Sequence, residues 1–164
     1  MRTLLVPLFL ALGSNACGNP TANPHEPGEA LGTFQVSANQ ATNDCGQGAL
    51  GAPATWTFPI RLSRQGDTLY WINGAEAIAG TLAPDGQSFA FETTVRVELN
   101  SKNPCSVLRQ DQAVGKLQTT DDTVTGFSAW MSFTFQAEEG HCEIDGLPVL
   151  PCAMRYEMTA ALQE

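Results

Sequence analysis

The chain predicts an all-β fold: an antiparallel meander of roughly eight to ten strands, closed into an up-and-down barrel or folded into a two-sheet sandwich. Three observations carry this. Apolar and polar residues alternate strictly over several stretches, which is the period of a strand with one dry and one wet face. Turn dipeptides rich in Gly, Asn and Asp punctuate those stretches at short intervals. No segment sustains a helical period, and the best candidate, Gly74 to Ile78, is too short to stand alone.

Taken in order, Gly32 to Ser37 is a strand with Phe34 and Val36 on one face. Thr55 to Ser63 sets Trp56, Phe58, Ile60 and Leu62 against Thr57, Pro59, Arg61 and Ser63. Asp67 to Ile72 and Ala79 to Leu82 form short hairpin partners. Phe89 to Glu98 lines one face with Phe89, Phe91, Val95 and Val97, and the other with Glu92, Thr94, Arg96 and Glu98. Cys105 to Gln110 and Ala113 to Gln118 read as two further strands. Phe127, Met131, Phe133 and Phe135 alternate with Ser128, Ser132, Thr134 and Gln136. The last strand alternates Met154, Tyr156, Met158, Ala160 and Leu162 with Arg155, Glu157 and Thr159. Turns are expected at Arg64 to Asp67, Asn73-Gly74, Pro84-Asp85-Gly86 and Thr119 to Asp122, with Asp85-Gly86 the strongest hairpin cue.

The amino terminus has a different character. Arg2 and the terminal amine form a positive region, Thr3 to Leu12 is a short apolar run, and small and polar residues follow to Ala16. That order describes a secretory signal peptide over residues 1–16. The run is shorter than the roughly 20 residues of a membrane-spanning helix. Ser14-Asn15-Ala16-Cys17 resembles the lipobox of bacterial lipoproteins, in which a small residue directly precedes an obligate cysteine; Ser14 stands where the family usually has leucine. The resemblance implies cleavage before Cys17 and acylation (palmitate and related chains) of that cysteine. A simple signal cut after Ala16 would instead leave Cys17 as an ordinary residue. Cysteine parity favours the lipid: of Cys17, Cys45, Cys105, Cys142 and Cys152, acylating the first leaves four to pair. Residues 17–30 then form a proline-rich tether and 31–164 a single domain. In this organisation the mature chain resembles envelope lipoproteins. Gly18 lacks the aspartate that in some lipoproteins signals inner-membrane retention, which favours the outer membrane.

Four cysteines allow three pairings. Local reasoning selects Cys142–Cys152, which flank one loop, and so Cys45–Cys105. Full pairing suits an oxidising compartment. No two cysteines have the close spacing of a zinc site, and no cofactor motif is present.

Seventeen carboxylates against eight Lys and Arg give a net charge of −9, which repels phosphate backbones and argues against a nucleic-acid partner. Catalytic candidates are thin. His141 lies beside Cys142, near Glu139, Glu143 and Asp145, and reads best as a solvated loop histidine. Glu92 and Glu98, beside Arg96, read as charges on a wet strand face. Three aromatics qualify as ligand or partner contacts: Trp130, which alternates onto a polar face, and the adjacent Tyr70 and Trp71, which must point opposite ways.

The resulting expectation is a non-enzymatic envelope lipoprotein, tethered to a membrane by lipid, whose domain binds a partner or supports an assembly. One alternative is a barrel carrying a small apolar ligand against Trp56, Phe58, Phe89, Phe91, Phe133 and Tyr156, which requires an unfilled interior. A second alternative is a secreted hydrolase whose site the sequence does not reveal, with His141 the histidine such a site would need in a cleft.

Overall fold

The computed structural model describes residues 25–46, 52–98, 106–138 and 150–163. Its strands are β1 (Glu29–Asn43), β2 (Thr55–Gln65), β3 (Thr68–Asn73), β4 (Glu76–Leu82), β5 (Ser88–Glu98), β6 (Ser106–Thr120), β7 (Thr123–Ala137) and β8 (Cys152–Leu162). Each pairs antiparallel with the next, and β8 returns to β1, so the sheet closes. Of the two architectures compatible with the sequence, the up-and-down barrel is the one that forms. Closure pairs every strand on both sides over at least part of its length.

Alternation fixes which side of each strand is dry. On β1, Phe34, Val36 and Ala38 are buried while Gln35, Ser37 and Asn39 are exposed. Their register partners on β2 are Ile60, Phe58 and Trp56, so the inward faces of the two strands coincide. On β8, Met154, Tyr156, Met158 and Ala160 complete the same wall. A one-residue slip would turn each of these side chains to water. Among the described residues the interior is mainly apolar and the outer face mainly polar, the reverse of a barrel that spans lipid.

The two ends of the barrel differ. Three connections at one end are tight: 66–67, 83–87 and 121–122. In the last, Asp121 and Asp122 both take positive φ (49° and 63°), as a two-residue hairpin turn with the twist of its strands requires. Here the interior is solid. Phe34, Leu62, Leu69, Phe89, Leu117 and Phe127 are each at most 5% exposed. Phe127 meets Phe34, Trp71 and Phe89 at ring-centroid distances of 6.1, 5.9 and 5.7 Å. The longer connections 44–54, 99–105 and 138–151 all leave from the opposite end.

Three expectations are corrected. Residues 106–118 do not form two strands; β6 is one continuous strand of 15 residues. Its Arg109 and Asp111 share the register of Val107 and Ala113 and so face inward, and polar residues on a dry face look like an interruption. The disulfide pairing also differs. Cys45 is bonded to Cys152, with their Cα atoms 5.1 Å apart, so neither the Cys45–Cys105 nor the Cys142–Cys152 bridge forms. The reason is barrel closure: β1 and β8 pair as far as Asn43 and Met154, which brings the cysteines just beyond into reach. Cys105 and Cys142 lie outside the described residues. Finally, the folded unit starts before residue 31. His25 bonds the Ala75 carbonyl at 2.8 Å, Glu26 pairs with Arg61 at 3.3 Å, and the Ser63 hydroxyl donates to the Pro27 carbonyl at 2.5 Å. That cover explains why Ser63, on the outer face of β2, is 0% exposed.

The wall is uneven. β5 pairs with β6 from Ser88 to Glu98, but with β4 only at Gly80, Thr81 and Leu82. The upper part of β5 therefore rises past the β3–β4 hairpin. Val95, on the inward register, is left 39% exposed there.

Candidate ligand-binding site

At the end with the longer connections the described residues leave the interior unfilled. A pocket of about 360 Å³ opens there between Trp56 on β2, Arg109 on β6, Phe133 and Phe135 on β7, and Met154 and Tyr156 on β8, with Ala52 and Pro53 at its rim.

The aromatic walls are ordered relative to one another. Trp56 and Phe133 are nearly parallel, 20° apart with centroids at 6.3 Å. Tyr156 stands edge-on to both, at 89° and 80°, with centroid distances of 6.0 Å. Such edge-to-face contacts are the favoured geometry of aromatic quadrupoles and stiffen the group. The Tyr156 hydroxyl accepts from Gln40 Nε2 and donates to the Pro53 carbonyl, both at 2.9 Å. The second bond ties the rim segment to the barrel wall.

One charged pair sits inside the barrel. Arg109 Nε and Nη2 donate to Asp111 Oδ1 and Oδ2, each at 2.7 Å. The side chains are 34% and 12% exposed. Two parallel bonds of this kind give both strength and fixed orientation. The guanidinium also lies 5.5 Å from the centre of the Phe133 ring. Beneath the pair, a further void of about 50 Å³ separates Trp71, Phe91, Asp111 and Met131 and has room for water.

The aromatics expected to line a carrier divide between the two ends. Trp56, Phe133 and Tyr156 wall the pocket, Phe58 packs behind Trp56 at 4.6 Å, and Phe89 and Phe91 pack together at 5.6 Å deeper in the barrel. The three single candidates are not brought together. Trp71 is buried inside, Tyr70 is half-buried on the outer face, and Trp130 is 39% exposed on the outside of β7. Trp130 carries the Arg155 guanidinium 4.0 Å above its ring and faces Val114, which is 47% exposed. They border an external groove of about 410 Å³ on the β5–β8 wall.

Glu92 accepts from Gln110 Nε2 at 2.6 Å, and Arg96 reaches Glu98 at 3.2 Å and Glu138 at 2.9 Å, so these charges are engaged on the rim and outer face. Cys17 and His141, with Glu139, Glu143 and Asp145, lie outside the described residues. Among the described residues, no His, Cys, Asp and Glu side chains group as a metal site.

Sequence reasoning missed Arg109 and Asp111. The signal was present: Val107, Arg109, Asp111, Ala113, Gly115 and Leu117 are evenly spaced by two. Reading the phase across the polar pair, rather than stopping at it, places both inside.

No protein-family model, curated protein or solved structure matches the chain.

Proposed function

We propose that this chain is an exported, lipid-tethered barrel that binds one small, mainly apolar molecule at its open end and carries out no chemistry on it. The observation that carries the reading is the aromatic-walled pocket of about 360 Å³ above the filled lower barrel. Its size falls within the roughly 300–1,000 Å³ of small-molecule sites, and its make-up of apolar walls with few polar groups is typical of them. An eight-stranded barrel is wide enough for one such ligand. Export is supported by the signal-like residues 1–16 and by the Cys45–Cys152 bridge, since such bonds persist in oxidising compartments. Anchoring at Cys17, by the outer membrane, follows from the lipobox resemblance.

The test is titration of the mature chain with the neutral fluorophore N-phenyl-1-naphthylamine. Saturable one-to-one binding is expected, and Trp56→Ala weakens it by at least about tenfold through lost apolar contact. Trp130→Ser leaves it unchanged. A linear, unsaturable response ends the binding reading. Mass spectrometry of the mature terminus tests the tether separately, and an unacylated Cys17 removes it.

A second reading, a docking face for another envelope protein, is favoured by the adjacent exposure of Val114 and Trp130. It predicts that Trp130→Ser abolishes co-purification of that protein while probe binding persists.

A further inference from the structure

The Arg109–Asp111 pair narrows the ligand class. We infer that the pocket selects an uncharged, mainly apolar molecule bearing a hydrogen-bond acceptor such as a ketone or ester carbonyl, and disfavours the corresponding carboxylate. This rests on the binding reading above.

Each Asp111 oxygen accepts one bond from Arg109. The Tyr156 hydroxyl already accepts once and donates once. Among the described residues Arg109 makes no other hydrogen bond through its side chain, so its Nη1 hydrogens remain to donate at the pocket wall. A guanidinium has five N–H donors and no acceptor. Of the pair only Arg109 lines this pocket, while Asp111 lines the void beneath, so the charged group that the pocket presents is a donor and favours a ligand that accepts.

Charge then separates neutral acceptors from anions. Asp111 cancels the Arg109 charge across two short bonds, so an incoming carboxylate loses its hydration without gaining an unopposed cation. The chain's net charge of −9 adds a repulsive field. A carbonyl loses little on desolvation and gains one bond from a charged donor.

Three matched probes test this by displacing N-phenyl-1-naphthylamine from the mature chain: naphthalene, 2-acetylnaphthalene and 2-naphthoate. The ketone is expected to bind about tenfold more tightly than the hydrocarbon, the usual effect of a bond from a charged donor. The carboxylate is expected to bind no better than the hydrocarbon. Asp111→Asn keeps the shape and frees the Arg109 charge, so 2-naphthoate gains at least about tenfold while the ketone changes by less than about threefold. In the double variant Arg109→Met with Asp111→Leu, which leaves no buried charge unpaired, the ketone loses its advantage over naphthalene.

Equal binding of ketone and naphthalene by the unaltered chain overturns the inference, as does a preference for 2-naphthoate. Either result leaves the binding reading standing. Failure of all three probes and of the fluorophore to bind overturns the binding reading, and this inference with it.

Discussion

The ring of Phe91 lies against the bare backbone of Gly80, its register partner across the β4–β5 seam. A methyl group at Gly80 would overlap Cδ1 and Cε1 of that ring and the Ala90 carbonyl. Phe89 sits in the same way against its partner Gly115 on β6. The two glycines let large rings lie flat on the wall, so the lower barrel fills without displacing the strands.

Gly80→Ala is therefore expected to destabilise the chain by about 1–3 kcal/mol, the usual effect of overpacking. The normal cost of glycine in a strand would make the same change stabilising, so the sign is diagnostic. Urea denaturation measures it. Because β4 and β5 share only three register pairs, amide exchange in β4 is expected to rise more than in β1 or β8. An unchanged midpoint would show that Phe91 does not occupy this place.

Cys45 and Cys152 join strands at opposite ends of the sequence, separated by 107 residues. In the chain-entropy account a loop of that length is stabilised by about 4.7 kcal/mol when closed. Replacing both cysteines with serine is expected to lower unfolding free energy by up to about that amount. Non-reducing peptide mapping gives the direct check: Cys45 is recovered linked to the peptide containing Cys152. Recovery of Cys45 linked to Cys105 contradicts it.

The same bridge shows where sequence reasoning stopped. Alternation on each strand is a local property, and it fixed the inward faces of β2, β5, β7 and β8 residue by residue. The union of β1 with β8 is not local. Nothing near Cys45 signals that Met154 will be level with Asn43, so proximity along the chain gave the wrong partners. Arg109 and Asp111 failed for a different reason. A charged pair on a dry face breaks the binary pattern, and departures of that sort tend to mark functional positions. The three aromatic walls Trp56, Phe133 and Tyr156 were legible because their apolar character agreed with their phase. That the pocket stays open above a filled lower barrel depends on packing volumes, which alternation does not encode.

Asp85 gives the chain a defined acid response. Its carboxylate accepts from the Ser88 hydroxyl at 2.6 Å and from the Ser88 and Gln87 amides at 2.7 and 2.9 Å. The Ser88 hydroxyl bond, then the amides, with Lys116 adding attraction, hold its pKa near about 2 rather than the ordinary 3.8. The unfolded chain thus takes up this proton first as pH falls. The turn's contribution is fully present above about 3.8 and is lost as pH falls through about 2. An NMR titration of the Asp85 carboxyl should show a midpoint near 2, moving upward in Ser88→Ala. A midpoint near 4 in the unaltered chain would mean that the turn is not closed this way.

Tyr156→Phe separates the tyrosine's ring from its hydroxyl. The ring stays edge-on to Trp56 and Phe133, so the wall of the pocket keeps its shape. What is lost is the bond to the Pro53 carbonyl and the one received from Gln40. The residue is 1% exposed, so water does not readily replace them, and a stability loss of about 1–2 kcal/mol is expected. The functional effect should be kinetic. Pro53 stands at the rim, and freeing it widens the exit without removing a ligand contact. Dissociation of N-phenyl-1-naphthylamine, followed by stopped flow, is expected to quicken by about threefold to tenfold with little change in association, as is usual when one interface is altered. An unchanged dissociation rate would mean that the rim segment does not hold the ligand, and that retention comes from the aromatic walls alone.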